Sequence, residues 1–344
     1  MTLTITFIMQ LIVLLVGVLV FCTGYLIIMR ILEDFGLRKK DAYIHEKQML
    51  WYRYFREEED FDPTLIPKNQ YEVQAVEEIF SAYINNLITP AISEKIRLFA
   101  NQYLKQHIAK KLKSRRWGNR INAMNLIVDF QMDSLLEDCE KMDGHKLSHE
   151  EHFQRLNIYA VFKNTKFVKE LFFSPMQFSE YEYKRLFMNV DEESLSEIIG
   201  RMASLPATCQ YALIDILGTK GNIDDLPFLE SQLNHANDEI RIRSLKAIYK
   251  IGMVIDPKKY VRFTTSPIWE ERLMHTKVLG NLSFTYALPY LQQLLQDDSW
   301  WVRLQAAEII GKDKRSTEIL QRFIETANDP YAIDMAREVL ARRA

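Results

Sequence analysis

The densest group of metal-ligating side chains in the sequence is His145, His149 and His152, interleaved with Glu150 and Glu151. Their spacings of four and three place two imidazoles on one face of a helix, as a zinc-type site requires of two of its ligands. The same stretch reads as a capping box, Ser148-x-x-Glu151, which starts a helix after Asp143-Gly144 and leaves the histidines in solvent. The capping reading needs fewer coincidences, so no metal and no other cofactor is assigned.

A second charged feature is the run Leu104 to Arg120, with seven basic residues in seventeen and no acidic one. Lys110, Lys111, Lys113, Arg115 and Arg116 form its centre, suited to anionic lipid headgroups, an acidic partner or nucleic acid. No nucleic-acid-binding motif accompanies the run, and a solvated helix face explains such a run equally well. Trp269, Trp300 and Trp301 stand in turn regions, where aromatic rings either plug gaps or, if exposed, anchor a partner. The sequence contains no nucleophile elbow, phosphate-binding loop, zinc-protease pair or dinucleotide fingerprint, so no enzymatic activity is read from it. Cys22, Cys139 and Cys209 are few, scattered and odd in number, against a disulfide framework and in favour of a reducing compartment.

The elements that carry these residues begin with an apolar segment. No charged side chain occurs from Met1 to Met29. Ile5 to Met29 is 25 residues; as a helix it spans roughly 37 Å against a hydrocarbon core about 30 Å thick. A cleaved signal peptide would need a basic start, a shorter apolar core and a small-residue cleavage site. Residues 1–30 are therefore expected to be a single transmembrane anchor. Arg30, Arg38, Lys39 and Lys40 follow the apolar run and nothing basic precedes it, which places the N-terminus outside the cell membrane and the remainder in the cytoplasm. Residues 31–70 read as a juxtamembrane helix and linker. Trp51, Tyr52, Tyr54 and Phe55 in that segment are expected to pack on the domain that follows, and Pro63 and Pro67 mark an elbow.

From residue 71 to 344 the pattern is helical, with almost no strand signal. The composition, 48% hydrophobic and 26% charged with a net charge of −2, is that of an ordinary globular chain with no global pull toward polyanions. Four similar segments start their alignment at Gln210, Arg241, Arg272 and Arg303, separated by 31 residues each (241 − 210, 272 − 241, 303 − 272). Leu226-Pro227 recurs as Leu288-Pro289, two periods later, and Leu229 and Leu233 recur as Leu291 and Leu295. Glycines fall eight residues after the anchor (Gly218, Gly280, Gly311) or eleven (Gly221, Gly252), where a helix is expected to stop. A fixed period of this length implies stacked helical repeats with a long exposed surface. Regular repeats cover about 206–312, a degenerate capping repeat 313–344. Arg120 and Arg155 head irregular copies upstream, and the stretch 174–202 departs from the pattern.

The sequence Leu-Pro-x-x-Leu, an acidic or Ser-bearing turn, Val/Ile-Arg, small residues and Leu-Gly resembles the HEAT repeat family, in its short PBS-lyase-type form. The best copy runs from Leu288 to Gly311. The resemblance implies an all-α superhelix and makes Arg241, Arg272 and Arg303 a structural ladder that bridges neighbouring repeats through acidic turn residues, with Gln210 breaking it. It also implies a scaffold or adaptor for a protein at or in the membrane, for example an embedded enzyme such as a glycosyltransferase. Two alternatives follow: a bilin-lyase-like enzyme, and a peripheral module for anionic lipids using the basic run.

Overall fold

Apolar residues recurring every three to four positions, punctuated by Pro, Asx and Gly, give helices throughout the computed structural model, with no strand among the described residues. It describes residues 5–56, 61–87, 89–142, 146–174 and 176–342. The acidic run Glu57 to Asp60 and His145 lie outside them. The chain divides into two compact units, Met1–Ile158 and Tyr159–Ala344, each with its own core.

In the first unit, α1 (Ile5–Arg56) is one unbroken helix of 52 residues. It is followed by α2 (Gln70–Leu87), α3 (Pro90–Phe99), a π turn (Ala100–Leu104) leading into α4 (Lys105–Leu112), α5 (Trp117–Asp129) and α6 (Leu136–Glu140). The division into units falls within α7 (His149–Val161). By length and composition α1 is able to cross a membrane, and no described residue covers its apolar window. Its distal half is different. Tyr43, Trp51 and Phe55 fall four or eight residues apart on one helix face and are buried. Trp51 is 0% exposed, with its ring centroid 5.0 Å from Phe80 and 5.1 Å from Phe99. The Tyr43 hydroxyl donates to the Leu65 carbonyl at 2.8 Å, and Lys40 pairs with Glu78 at 2.6 Å. Trp51 and Phe55 thus pack on the first core as expected of this segment, joined by Tyr43, while Tyr52 stays exposed: large aromatics on one stripe gain more from burial than from headgroup contact. Asp62 caps the short 3₁₀ turn Pro63–Leu65 at the expected elbow.

The second unit continues with α8 (Lys166–Phe173), α9 (Glu180–Asn189), α10 (Glu192–Gly200), α11 (Ala207–Lys220), α12 (Leu226–Gln232) and α13 (Asp238–Ile251). A nine-residue 3₁₀ segment (Pro257–Thr265) precedes α14 (Trp269–Leu279), then α15 (Phe284–Leu294), α16 (Trp300–Lys312), α17 (Ser316–Thr326) and α18 (Pro330–Ala341). Gln210, Arg241, Arg272 and Arg303 are each the fourth residue of α11, α13, α14 and α16, the second helices of successive pairs. Leu229, Leu233, Leu291 and Leu295 are buried between the pairs. Adjacent pairs also share polar groups. The buried carboxylate of Glu230 accepts from Tyr260 Oη at 2.9 Å, the Ile255 amide at 3.0 Å and Lys259 Nζ at 2.7 Å.

The glycines separate into two roles. Gly221 (φ 72°) and Gly252 (φ 81°) are left-handed C-caps, and Gly280 caps α14 in a right-handed conformation, the helix-ending role expected of all five. Gly218 instead lies inside α11, where a Cβ would fall 2.5 Å from Ala247 Cα on α13, and at Gly311 it would fall 2.6 Å from Val339. These positions let neighbouring second helices approach closely and do not end them.

Candidate interaction surface

The anchor arginines hold the turns together from within. Arg241 Nη1 donates to the carbonyls of His235 (2.8 Å) and Ala236 (3.1 Å), six and five residues earlier, and Nε pairs with Glu271 at 2.6 Å. Arg272 repeats this arrangement. Its Nη1 donates to Ser266 O at 2.7 Å, and its fork grips Asp297, with Nη2 to Oδ1 at 2.8 Å. Arg303 Nη1 donates to Asp297 O (2.6 Å) and Asp298 O (3.1 Å), and its guanidinium lies 5.6 Å from the Tyr331 ring centroid. The accepting carbonyls follow the C-termini of the first helices, where the last turn leaves acceptors without intrahelical donors and the dipole favours a cation.

Gln210 keeps half of this role. Its Nε2 donates to Leu205 O at 2.8 Å, five residues back, so the tie to its own turn survives without a charge to reach the next repeat. In the first unit Arg120, the fourth residue of α5, makes the same pattern: Nη1 to Ser114 O (3.0 Å) and Arg115 O (3.2 Å), Nε to Glu151 at 2.5 Å. Arg155 is the seventh residue of α7 and donates to Met142 O at 3.2 Å, outside that register.

The tryptophans face outward. Trp269 is 38% exposed, Trp300 47% and Trp301 57%, the last two meeting edge to face with centroids 4.7 Å apart. Trp269 and Trp300 are the first residues of α14 and α16. Sequence reasoning did not single out Tyr331, the second residue of α18 and 69% exposed, although 331 − 300 = 31 puts it in the same register.

The basic run does not form one positive face. It is split between α4 and α5 by the turn at 113–116, and several charges are engaged: Lys111 with Glu77 (2.7 Å), Lys113 with Asp138 (2.9 Å), and Arg120 with Glu151. Lys110, Arg115 and Arg116 are exposed.

Ser148 and Glu151 form the expected capping bonds, Ser148 N to Glu151 Oε2 at 2.9 Å and Glu151 N to Ser148 Oγ at 3.3 Å. Burial works to raise the Glu151 carboxyl, but its bonds to Arg120 and Ser148 outweigh that and hold it below its ordinary value. Contrary to the expectation of solvated histidines, His152 is buried and His149 half-buried, because this face of α7 turns into the core. Among the described residues no group of three or more His, Cys, Asp and Glu side chains is arranged to hold a metal ion. Cys139 and Cys209 are buried, and burial pushes both thiols up, Cys139 to about 12.

The family model for HEAT repeats matches residues 261–341, which contain α14 to α18 and the three exposed aromatic steps. No curated protein matches. Among solved structures, an engineered protein from a structural genomics consortium is 13% identical, with a TM-score of 0.39, covering 81% of this chain and 97% of its own. Human deoxyhypusine hydroxylase in complex with glycerol is 14% identical, with a TM-score of 0.28, covering 71% of this chain and 96% of its own.

Proposed function

We propose that this chain is a single-pass membrane protein whose repeat-bearing part, on the cytoplasmic side, holds or regulates a protein partner at the membrane and does no chemistry of its own. The observation that carries this reading is the contrast within α1. From Met9 to Met29 it is apolar and uncovered by the described residues, whereas Tyr43, Trp51 and Phe55 in its distal half are locked into the first core. An apolar helix surface of this length is stable only against another apolar phase, and a bilayer about 30 Å thick fits it. Arg30, Arg38, Lys39 and Lys40 support a cytoplasmic location for everything beyond α1. The 31-residue period supports the short PBS-lyase-type form of the repeat. Stacked repeats expose a long surface for a macromolecular partner. In this reading the partner is a protein at or in the membrane, an embedded enzyme being one case.

The test is capture from gently solubilised membranes, comparing the full chain with a fragment beginning at residue 34. A fragment beginning at 61 is unsuitable because it removes Tyr43, Trp51 and Phe55 from the first core. A stoichiometric protein retained by both places recognition beyond the span; one retained only by the full chain places it in the span. Extraction of the full chain from membranes by alkaline carbonate would overturn the anchor.

A further inference from the structure

Trp269, Trp300 and Tyr331 follow one another at intervals of 31 residues, in the first turns of α14, α16 and α18. These three helices pack in sequence, α16 against both α14 and α18. Helices in contact lie about 8–10 Å apart, so the backbone positions that carry these exposed rings repeat at about that step. Trp301 widens the middle step. Exposed aromatics that recur once per repeat do not serve the core, which is built from other residues of the same helices, Val302, Ala306 and Ile310 on α16 and Ala332, Met335 and Val339 on α18.

The charges along the row that lack an ion-pair partner among the described residues are acidic. Glu270 and Asp298 form no ion pair with a described residue, and Asp329 caps α18 beside Tyr331. The nearby cations are consumed: Arg272 by Asp297 and Ser266 O, Arg303 by two turn carbonyls and the Tyr331 ring. The edge is therefore aromatic and acidic, complementary to an apolar, cationic chain.

Spacing selects the conformation of that chain. A β-strand places same-face side chains every two residues, about 6.6 Å, out of step with the row. An α-helix about 10–12 Å wide needs a walled groove, whereas these rings stand on an open edge. A polyproline II helix turns once every three residues at 3.1 Å each, about 9 Å, one turn per repeat. Its proline rings stack on indole and phenol faces, its backbone is already extended, and little conformational entropy is lost on binding.

We propose that the row Trp269, Trp300, Trp301 and Tyr331 is a docking edge for a proline-rich polypeptide segment bearing Lys or Arg, bound as a polyproline II helix with Glu270 and Asp298 facing its cations. This rests on the scaffold reading above and specifies the partner's chemistry.

The experiment titrates the full-length protein, in nanodiscs, with a twelve-residue peptide of four Pro-Pro-Arg units, following tryptophan emission and heat of binding. Comparison peptides replace Pro-Pro by Gly-Ser, or Arg by Glu, and vesicles of anionic lipid are a third probe. The expected result is saturable binding of the Pro-Pro-Arg peptide alone. Trp300→Ala with Trp301→Ala should weaken it at least tenfold and Glu270→Gln with Asp298→Asn severalfold, circular dichroism being unchanged. Equal binding of the Gly-Ser-Arg peptide, binding indifferent to the tryptophans, tryptophan-dependent binding of vesicles in its place, or no binding at all overturns the proposal. A membrane partner that still co-purifies with the Trp300→Ala, Trp301→Ala protein would leave the scaffold reading standing while sinking this one.

Discussion

Replacing Gly218 by alanine tests the account of how the repeats pack. A Cβ at this position would lie 2.5 Å from Ala247 Cα and 2.7 Å from Ala247 Cβ, and neither atom can move aside by changing rotamer. Restoring an ordinary contact of about 3.5 Å requires α11 and α13 to separate by about 1 Å along much of their interface, with a loss of dispersion contacts in the best-packed part of the unit. Overpacking of this kind costs about 1–3 kcal/mol, whereas Gly→Ala inside a helix returns up to about 1 kcal/mol of propensity. The net expectation is a loss of about 1–2 kcal/mol. Gly118→Ala is the matched control, since nothing lies within 4 Å of a Cβ there; it should be neutral or stabilising by about 0.5 kcal/mol. Urea unfolding of the full chain in detergent, monitored by far-ultraviolet circular dichroism, measures both. A Gly218→Ala protein as stable as the parent, or more so, would refute the close-approach role and return Gly218 to being a helix stop.

Arg241→Ala should cost about 2–4 kcal/mol, because it strands the buried Glu271 carboxylate and two turn carbonyls. Arg241→Gln should recover part of that loss, as Gln210 keeps the carbonyl bond in its own repeat; equal urea midpoints for the two variants would contradict the shared role. His275 is buried against Thr264, and burial lowers its pKa from 6.5 to about 4. The unfolded chain then binds this proton first, so stability falls as pH drops below about 6.5 and levels off near 4, by about 3 kcal/mol in all. The slope of stability against pH across that window should flatten in His275→Gln, and an unchanged slope would remove His275 as its source. Trp51→Ala, which empties the centre of the first core, should cost about 3–5 kcal/mol in the same unfolding assay.

The local and periodic features of this protein are legible in its sequence. The 31-residue register from Gln210 to Arg303, the capping box at Ser148 and Glu151, and the reversals at Gly221 and Gly252 depend on residues a few positions apart, and so does the apolar, uncharged run before Arg30. Helix content and repeat boundaries follow from such short-range chemistry. The sequence also contained the clue to Tyr331 in that same register. Tertiary structure decided what each repeated position is for. Only packing separates Gly218, pressed against Ala247, from Gly221, which reverses the chain; only the turn geometry shows that Gln210 replaces an arginine's carbonyl bond. Trp51 and Trp300 are the same residue type on helices, yet one is sealed among Phe80 and Phe99 and the other is 47% exposed. Burial is set by which distant helices arrive alongside, and the partners of Trp51 lie about thirty and fifty residues away in the chain, beyond the range of any local pattern.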